Sequence, residues 1–282
     1  MNAKFIKPTY LISLNLVNCQ IEVKCNDIHL FEYKSKSSAM GNGISISLPI
    51  NHLLLKNEAF TIKAKVLPVH GKDILERSSL AKFEISMLDY VAPKKTIVKL
   101  FEIATPDQST ENSEIKPEID LEGLPFYELI GGSVAKVLPF SLKGWQDSAD
   151  LTKIDAQKLL LDSFNFYKKI QSLIDQKKVN DYIELTAEQD DLLQKAYYYG
   201  PSQIARERQQ VEEIFNDSGL SVIPFSFKDV ELEIMGKDNQ LLRLKRRNGQ
   251  PVLLLYDPFE KKTVKLDVKL HKTTLNTPLS VI

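Results

Sequence analysis

The stretch that decides the carboxyl-terminal fold reads Val230-Glu231-Leu232-Glu233-Ile234-Met235, then Gly236-Lys237-Asp238-Asn239-Gln240, then Leu241-Leu242-Arg243-Leu244-Lys245-Arg246-Arg247. Apolar and charged residues alternate with the period of a strand on both sides of a short polar loop, which predicts an antiparallel hairpin. Pairing Met235 with Leu241 sets Ile234 opposite Leu242 and Leu232 opposite Leu244 on one side. On the other it sets Glu233 opposite Arg243, Glu231 opposite Lys245 and Asp229 opposite Arg247. Each charge pair contributes only about 0.2–1 kcal/mol, but three in one register fix the pairing. Asn248-Gly249 is a two-residue type I′ turn signal leading into a strand over residues 251–256. Asp257-Pro258 makes another turn. On a last strand Val264, Leu266, Val268 and Leu270 face the core, so Lys265, Asp267, Lys269 and His271 are expected on the solvent face.

Upstream the period changes. Leu160, Phe164, Tyr167, Ile170 and Ile174 recur at helical spacing, predicting a long amphipathic helix over residues 152–178. Thr186 precedes Gln189 by three residues, the pattern of a capping box, and Leu192, Leu193, Ala196 and Tyr197 give the following helix an apolar face. Gly200-Pro201 is expected to end it. A third helix over residues 202–216 is expected to bury Ile204, Val211, Ile214 and Phe215. Three helices followed by a curved antiparallel sheet make residues 150–282 an α+β domain. That element order resembles the cone-shaped fold of the nuclear-transport-factor-like, ketosteroid-isomerase and SnoaL-like superfamily. The resemblance implies a cone able to hold a small molecule, with an Asp base or an Asp/His pair and Tyr donors inside. His271 is the one histidine of this half, and its expected solvent-face position speaks against such a dyad.

The amino-terminal half, residues 1–145, reads as an all-β sandwich, jelly-roll or immunoglobulin-like. The run Cys19-Gln20-Ile21-Glu22-Val23-Lys24-Cys25 alternates strictly, turns at Asn26-Asp27 and returns through Ile28-His29-Leu30-Phe31-Glu32-Tyr33. Further strands are expected over residues 44–50, 60–67, 80–88 and 96–103. Gly131-Gly132 reads as a turn, with a last strand over residues 133–142. The succession of Asn26-Asp27, a serine-rich loop, Leu48-Pro49-Ile50-Asn51, Leu54 to Lys56, Asn57-Glu58 and the alternating Phe60 to Val66 resembles the galactose-binding-like jelly-roll accessory domains found beside glycoside hydrolases. Within it, residues 105–122 form an acidic loop. Asp107, Glu111, Glu114, Glu118, Asp120 and Glu122 face Lys116 alone, with little apolar content, which is the composition of a solvated segment. Their spacing lacks the alternate-position ligands and the Gly of a calcium loop.

Composition limits function. Over 282 residues, 37 Lys plus Arg balance 37 Asp plus Glu, so no bulk field draws the chain to phosphates, and nucleic acid is not an expected partner. No apolar run approaches the roughly 20 residues of a membrane-spanning helix, so membrane insertion is not expected. The first ten residues lack the apolar core of about 7–15 residues that a signal peptide carries. Cys19 and Cys25 are about 20 Å apart along one straight strand, beyond the roughly 7 Å that a disulfide allows. Two unpaired buried thiols fit a reducing cytoplasm. His29, His52, His70 and His271 show no zinc spacing. There is no Gly-x-Ser-x-Gly elbow, and Met40-Gly41-Asn42-Gly43 lacks the remaining residues of a phosphate loop. Lys245-Arg246-Arg247 is largely neutralised by the hairpin register.

The expectation is therefore a chain without catalytic residues, cofactor or metal: a non-catalytic interaction protein, in its most concrete form a bacterial cytoplasmic immunity protein that neutralises a cognate toxin or effector. A carbohydrate or small-ligand binder is one alternative, and an isomerase- or dehydratase-like enzyme in the cone is another. The candidate interaction residues are Tyr197, Tyr198 and Tyr199, which cannot all face one core at 100° per residue, Trp145 at the change of period, and Asp107, Glu111, Glu114 and Glu118 of the acidic loop.

Overall fold

The computed structural model describes residues 5–36, 38, 43–89, 91, 96–106 and 119–282. The protein is a mixed α+β chain of antiparallel sheets and helices, divided into two compact units, Met1–Ser141 and Leu142–Ile282.

The first unit holds β1 (Pro8–Val17), β2 (Gln20–Cys25), β3 (Ile28–Tyr33), β4 (Ile44–Pro49), β5 (Ala59–Leu67), β6 (Leu80–Asp89), β7 (Thr96–Ala104) and β8 (Tyr127–Val134). They make two antiparallel four-stranded sheets, ordered β4-β1-β6-β7 and β3-β2-β5-β8. Alternate residues point to one face of each: Tyr10, Ile12, Leu14 and Leu16 in β1, and Phe60, Ile62, Ala64 and Val66 in β5, are all buried. The Tyr10 ring meets the Phe60 ring edge-on, centroids 6.1 Å apart, which layers one sheet on the other. Asn51, fully buried, accepts from the Tyr10 amide at 2.7 Å and donates to the Pro8 carbonyl at 2.9 Å, fixing where β1 begins. The Asn26-Asp27 turn has φ of 51° and 63°, as a type I′ turn requires.

Two expectations for this half are corrected. Gly131 and Gly132 are no turn but lie inside β8, paired with Ile62 and Thr61. Glycine is needed there because a Cβ on Gly131 would come within 2.6 Å of Phe101 and 2.5 Å of Ile103 on the facing β7. The acidic loop is also not solvated to its end. Leu121 is fully buried, the Leu75 amide donates to Leu124 and the Gly123 amide to Leu75, while Arg77 pairs with Asp120 and Glu122 at 3.5 and 3.2 Å. Asp107, Glu111, Glu114 and Glu118 lie outside the described residues, as do Met40, Gly41 and Asn42. Cys19 and Cys25 are buried free thiols.

The second unit carries α1 (Ala156–Asp175), α2 (Val179–Leu185), α3 (Ala187–Ala196) and α4 (Pro201–Asn216). They are followed by β9 (Ser221–Val222), β10 (Val230–Met235), β11 (Leu241–Arg246), β12 (Leu253–Asp257), β13 (Lys262–Leu266), β14 (Leu270–His271) and β15 (Ser280–Val281). Helix α1 starts at Ala156, not at residue 152, because the Asp155 carboxylate caps it by accepting from the Lys158 amide at 2.8 Å. The β10–β11 register is the expected one at every position from Val230↔Arg246 to Met235↔Leu241. Glu233 and Arg243 pair at 2.8 Å and Glu231 and Lys245 at 3.1 Å. The third pair does not form. Asp229 instead accepts from the Ser226 amide at 3.0 Å in a capping box, and Arg247 Nε donates to the Lys228 carbonyl.

Four further expectations give way, one of them in part. There are four helices among the described residues, since α2 intervenes before Thr186. The Thr186 hydroxyl makes no cap and turns back to the Tyr182 carbonyl at 3.2 Å, leaving the capping box unformed. The strands do not run on as one curved sheet. Strand β11 turns to β14 in the order β10-β11-β14-β15, and β12 pairs with β13 and β9 in a separate sheet, bridged to β11 only at Lys245↔Pro251. Of the face expected to meet solvent, Lys265 is exposed and Asp267 and Lys269 are half-buried, but His271 is buried. Residues 148–151 lie beside His271, with the Ala149 amide bonded to Lys272 and the Leu151 amide to Asn239. His271 is 0% exposed, and Arg243, held between Glu233 and Asp267, is 3% exposed.

Candidate functional site: a carboxylate-rimmed groove between helices

Helix α3 ends on Tyr198, not on Gly200. Tyr198 takes φ of 58°, and the Tyr199 amide returns to the Gln194 carbonyl at 2.9 Å, a left-handed helix stop. A non-glycine residue in that region costs about 1–2 kcal/mol, so the tyrosine run is held in place by its surroundings. Gly200 instead caps α4, with Pro201 at its first position. The outcome is a sharp reversal that lays α4 alongside α2 and α3. The three tyrosines are all half-buried, with the Tyr197 and Tyr199 rings stacked at 5.9 Å.

Helix α4 docks by its C-terminal end. Phe215 is its one buried residue, packed on Tyr182 of α2 with ring centroids 4.9 Å apart. Ile204, Val211 and Ile214, expected in the core, are only half-buried. Ile204 and Val211 are seven residues apart with mostly charged and amide side chains between them, too narrow a stripe to seat a whole helix. What remains between α2, α3 and α4 is an open groove of about 770 Å³. Ile183, Leu193, Ile204, Ala205, Val211 and Tyr199 supply its apolar surface, and Asp190, Asp191, Glu207 and Arg208 its charges.

The carboxylates were not singled out from sequence, where an acidic helix face reads as solvated. The fold half-buries Asp190, and desolvation raises its pKa above the ordinary aspartate value, with the Thr186 hydroxyl and Arg208 pulling it back and Glu207 pushing it up. Burial, helped by the Asp190 charge, pushes the Tyr182 phenol up to about 12, and burial with Glu207 raises that of Tyr199. Asp190 is thus the desolvated carboxylate of the groove, whereas Asp191 is exposed and paired with Lys195 at 2.7 Å.

A second polar cluster joins distant segments. The Ser148 hydroxyl lies 2.6 Å from His271 Nδ1, and Glu188 Oε2, in the first turn of α3, lies 3.1 Å from Nε2. The hydroxyl and carboxylate thus occupy both nitrogens of a fully buried imidazole, tying the residue 148 loop and α3 to β14. Gln240 Nε2 completes the tie by donating to the Gln146 carbonyl at 2.7 Å. Trp145 is 8% exposed, which leaves no open ring face for stacking on a sugar. Arg246 is spent on carbonyls, donating to Pro224, Ile223 and Val252. Among the described residues no group of three or more His, Cys, Asp or Glu side chains is placed to hold a metal ion, and no helix is long and apolar enough to cross a membrane.

Comparison of the chain with family models, with curated proteins and with solved structures finds no match.

Proposed function

We propose that this is a non-catalytic protein-interaction protein whose second unit receives a partner in the groove between α2, α3 and α4. The observation that carries the reading is the half-docked α4, which leaves a groove of about 770 Å³ with Ile183, Leu193, Val211 and Tyr199 in its lining. An immunity protein holding a cognate toxin or effector is the concrete form we favour. The balanced charge supports a protein partner over nucleic acid, and the two free buried thiols support a cytoplasmic setting. The layered sheets of the first unit support a β-sandwich reading, while the division of the second unit's strands into two sheets leaves a cone-like reading only its helices-then-strands order.

The test is a photo-reactive side chain placed at residue 194 on the groove wall, with the chain co-expressed beside its neighbouring gene products. Cross-linking of one product there, competed by the unmodified chain, is the expected result. Absence of any cross-link in that setting removes the reading.

A small-ligand reading has one observation in its favour, since about 770 Å³ falls within the common range for ligand pockets, roughly 300–1,000 Å³. A thermal-shift panel with no hit removes it. The isomerase-like reading gains no such support. The buried hydroxyls of α1 are bonded to backbone, Tyr167 donating to Val268 at 2.5 Å while accepting from the Leu244 amide, and Ser163 donating to Leu159.

A further inference from the structure

The walls of the groove are three helices, whose backbone groups are bonded within each helix apart from their ends. They therefore offer an occupant no sheet edge to pair with. An extended segment laid on Ile183, Leu193 and Val211 would bury its own amides and carbonyls against apolar carbon with no partner for them. A helix arrives with those bonds already made and needs from the groove only apolar contact along one stripe. The charge around the groove sets the sign of what flanks that stripe. Asp191 is paired with Lys195 at 2.7 Å, which leaves Asp190 and Glu207 against Arg208, and the whole chain has no net charge, so the attraction is local to this surface.

Building on the reading of the groove as a partner site, we infer that its occupant is an amphipathic helix of a partner protein. The partner helix seats apolar anchors spaced i, i+3 or i+4, and i+7 between α4 and the α2–α3 wall, and a flanking Lys or Arg pairs with Asp190 and Glu207. Desolvation already disfavours the charge on Asp190, so an arriving cation supplies what the groove lacks.

The probe is a fluorophore-labelled synthetic helix with Leu at i, i+3, i+4 and i+7 and Lys on the flanks, titrated against the full chain by anisotropy. One twin carries Glu in place of Lys and another a central Pro. The Lys helix should bind at least about tenfold tighter than either twin. Asp190→Asn combined with Glu207→Gln should close the gap between the Lys and Glu twins. Ala205→Trp, which fills the groove from an exposed position on α4, should abolish binding in a chain whose circular dichroism is unchanged. Glu212→Gln, exposed and outside the groove, should bind as the parent does. Equal binding of the Lys and Glu twins, undiminished binding of the Pro twin, or self-association of the chain through the groove overturns the inference. A partner cross-linked at residue 194 through an extended or acidic segment overturns it while leaving the protein-binding reading standing. Partner cross-linking that survives Ala205→Trp removes both.

Discussion

Gly131 stands opposite Phe101 so closely that a Cβ on the glycine would lie 2.6 Å from the phenylalanine ring, and 2.5 Å from Ile103 Cδ1. The approach of β8 to β7 is set by the absence of that one carbon. Gly131→Ala should therefore destabilise the first unit by about 1 kcal/mol, the low end for overpacking, because Phe101 and Ile103 are half-buried. Gly132→Ala adds a contact at 3.0 Å with the Phe60 carbonyl oxygen, a backbone atom, and should also be destabilising. Urea unfolding followed by circular dichroism measures both. An unchanged midpoint for Gly131→Ala would mean that Phe101 and Ile103 turn aside freely.

Arg243 gives a sharper test of the second unit. Its side chain is 4% exposed, with Glu233 at 2.8 Å and Asp267 at 3.0 Å. Arg243→Met strands the Glu233 carboxylate, while Asp267 keeps Lys269 at 3.0 Å, and the expected cost is about 3 kcal/mol. Glu231→Gln removes the partner of Lys245, where both side chains reach solvent, and should change stability by no more than about 1 kcal/mol. Equal effects from the two substitutions would show that Arg243 is better hydrated than its burial indicates.

These two positions show what the sequence could and could not reveal. The β10–β11 register was legible to the residue, because alternation and opposite charges at matched positions leave one solution. Whether a face is covered was not. Alternation tells which residues share a side, while the cover over His271 comes from Ser148 and from Glu188 at the start of α3, far along the chain. The glycine pair misled for the same reason, since a turn and a close approach both call for glycine and only the position of β7 separates them. The candidate site was half legible. Tyr199 was found as part of an aromatic run, but Asp190 and Glu207 matter only because α4 is docked at one end, and that depends on how few apolar residues it brings.

The Ser148–His271–Glu188 chain should behave as a clamp. Ser148→Ala leaves Nδ1 of a fully buried imidazole without its hydroxyl partner, at an expected cost of about 1–3 kcal/mol. Glu188→Ala should cost less, because its side chain is 43% exposed and water replaces it. Hydrogen exchange at the Ala149 amide, which donates to Lys272, reports the clamp locally and should quicken in Ser148→Ala more than in Glu188→Ala.

Burial pushes the thiols of both Cys19 and Cys25 up to about 12. Thiolate is the reactive form, so the folded chain should show almost no modification by a soluble thiol reagent at pH 8, and two fast-reacting thiols should appear in denaturant. Rapid labelling of either cysteine in the folded state would contradict its burial between the sheets.

Asp190 should separate stability from binding. Burial favours its protonated form, so the folded chain holds that proton to a higher pH than the unfolded chain does. Below the ordinary aspartate pKa of about 3.9 both states are protonated and the contribution is intact. As pH rises through the elevated folded value, ionisation must occur in a half-buried place, and stability falls. Asp190→Asn removes that loss. It should be more stable than the parent at pH 8 by a few tenths of a kcal/mol, about what a half-exposed, partly screened carboxylate allows, and the difference should shrink towards pH 4. The same substitution should weaken capture of a cationic helix, so the groove would be keeping a carboxylate that the fold alone does not favour. Thermal melts from pH 4 to 8 decide the first half, and a stability gain that grows as pH falls would reverse the assignment.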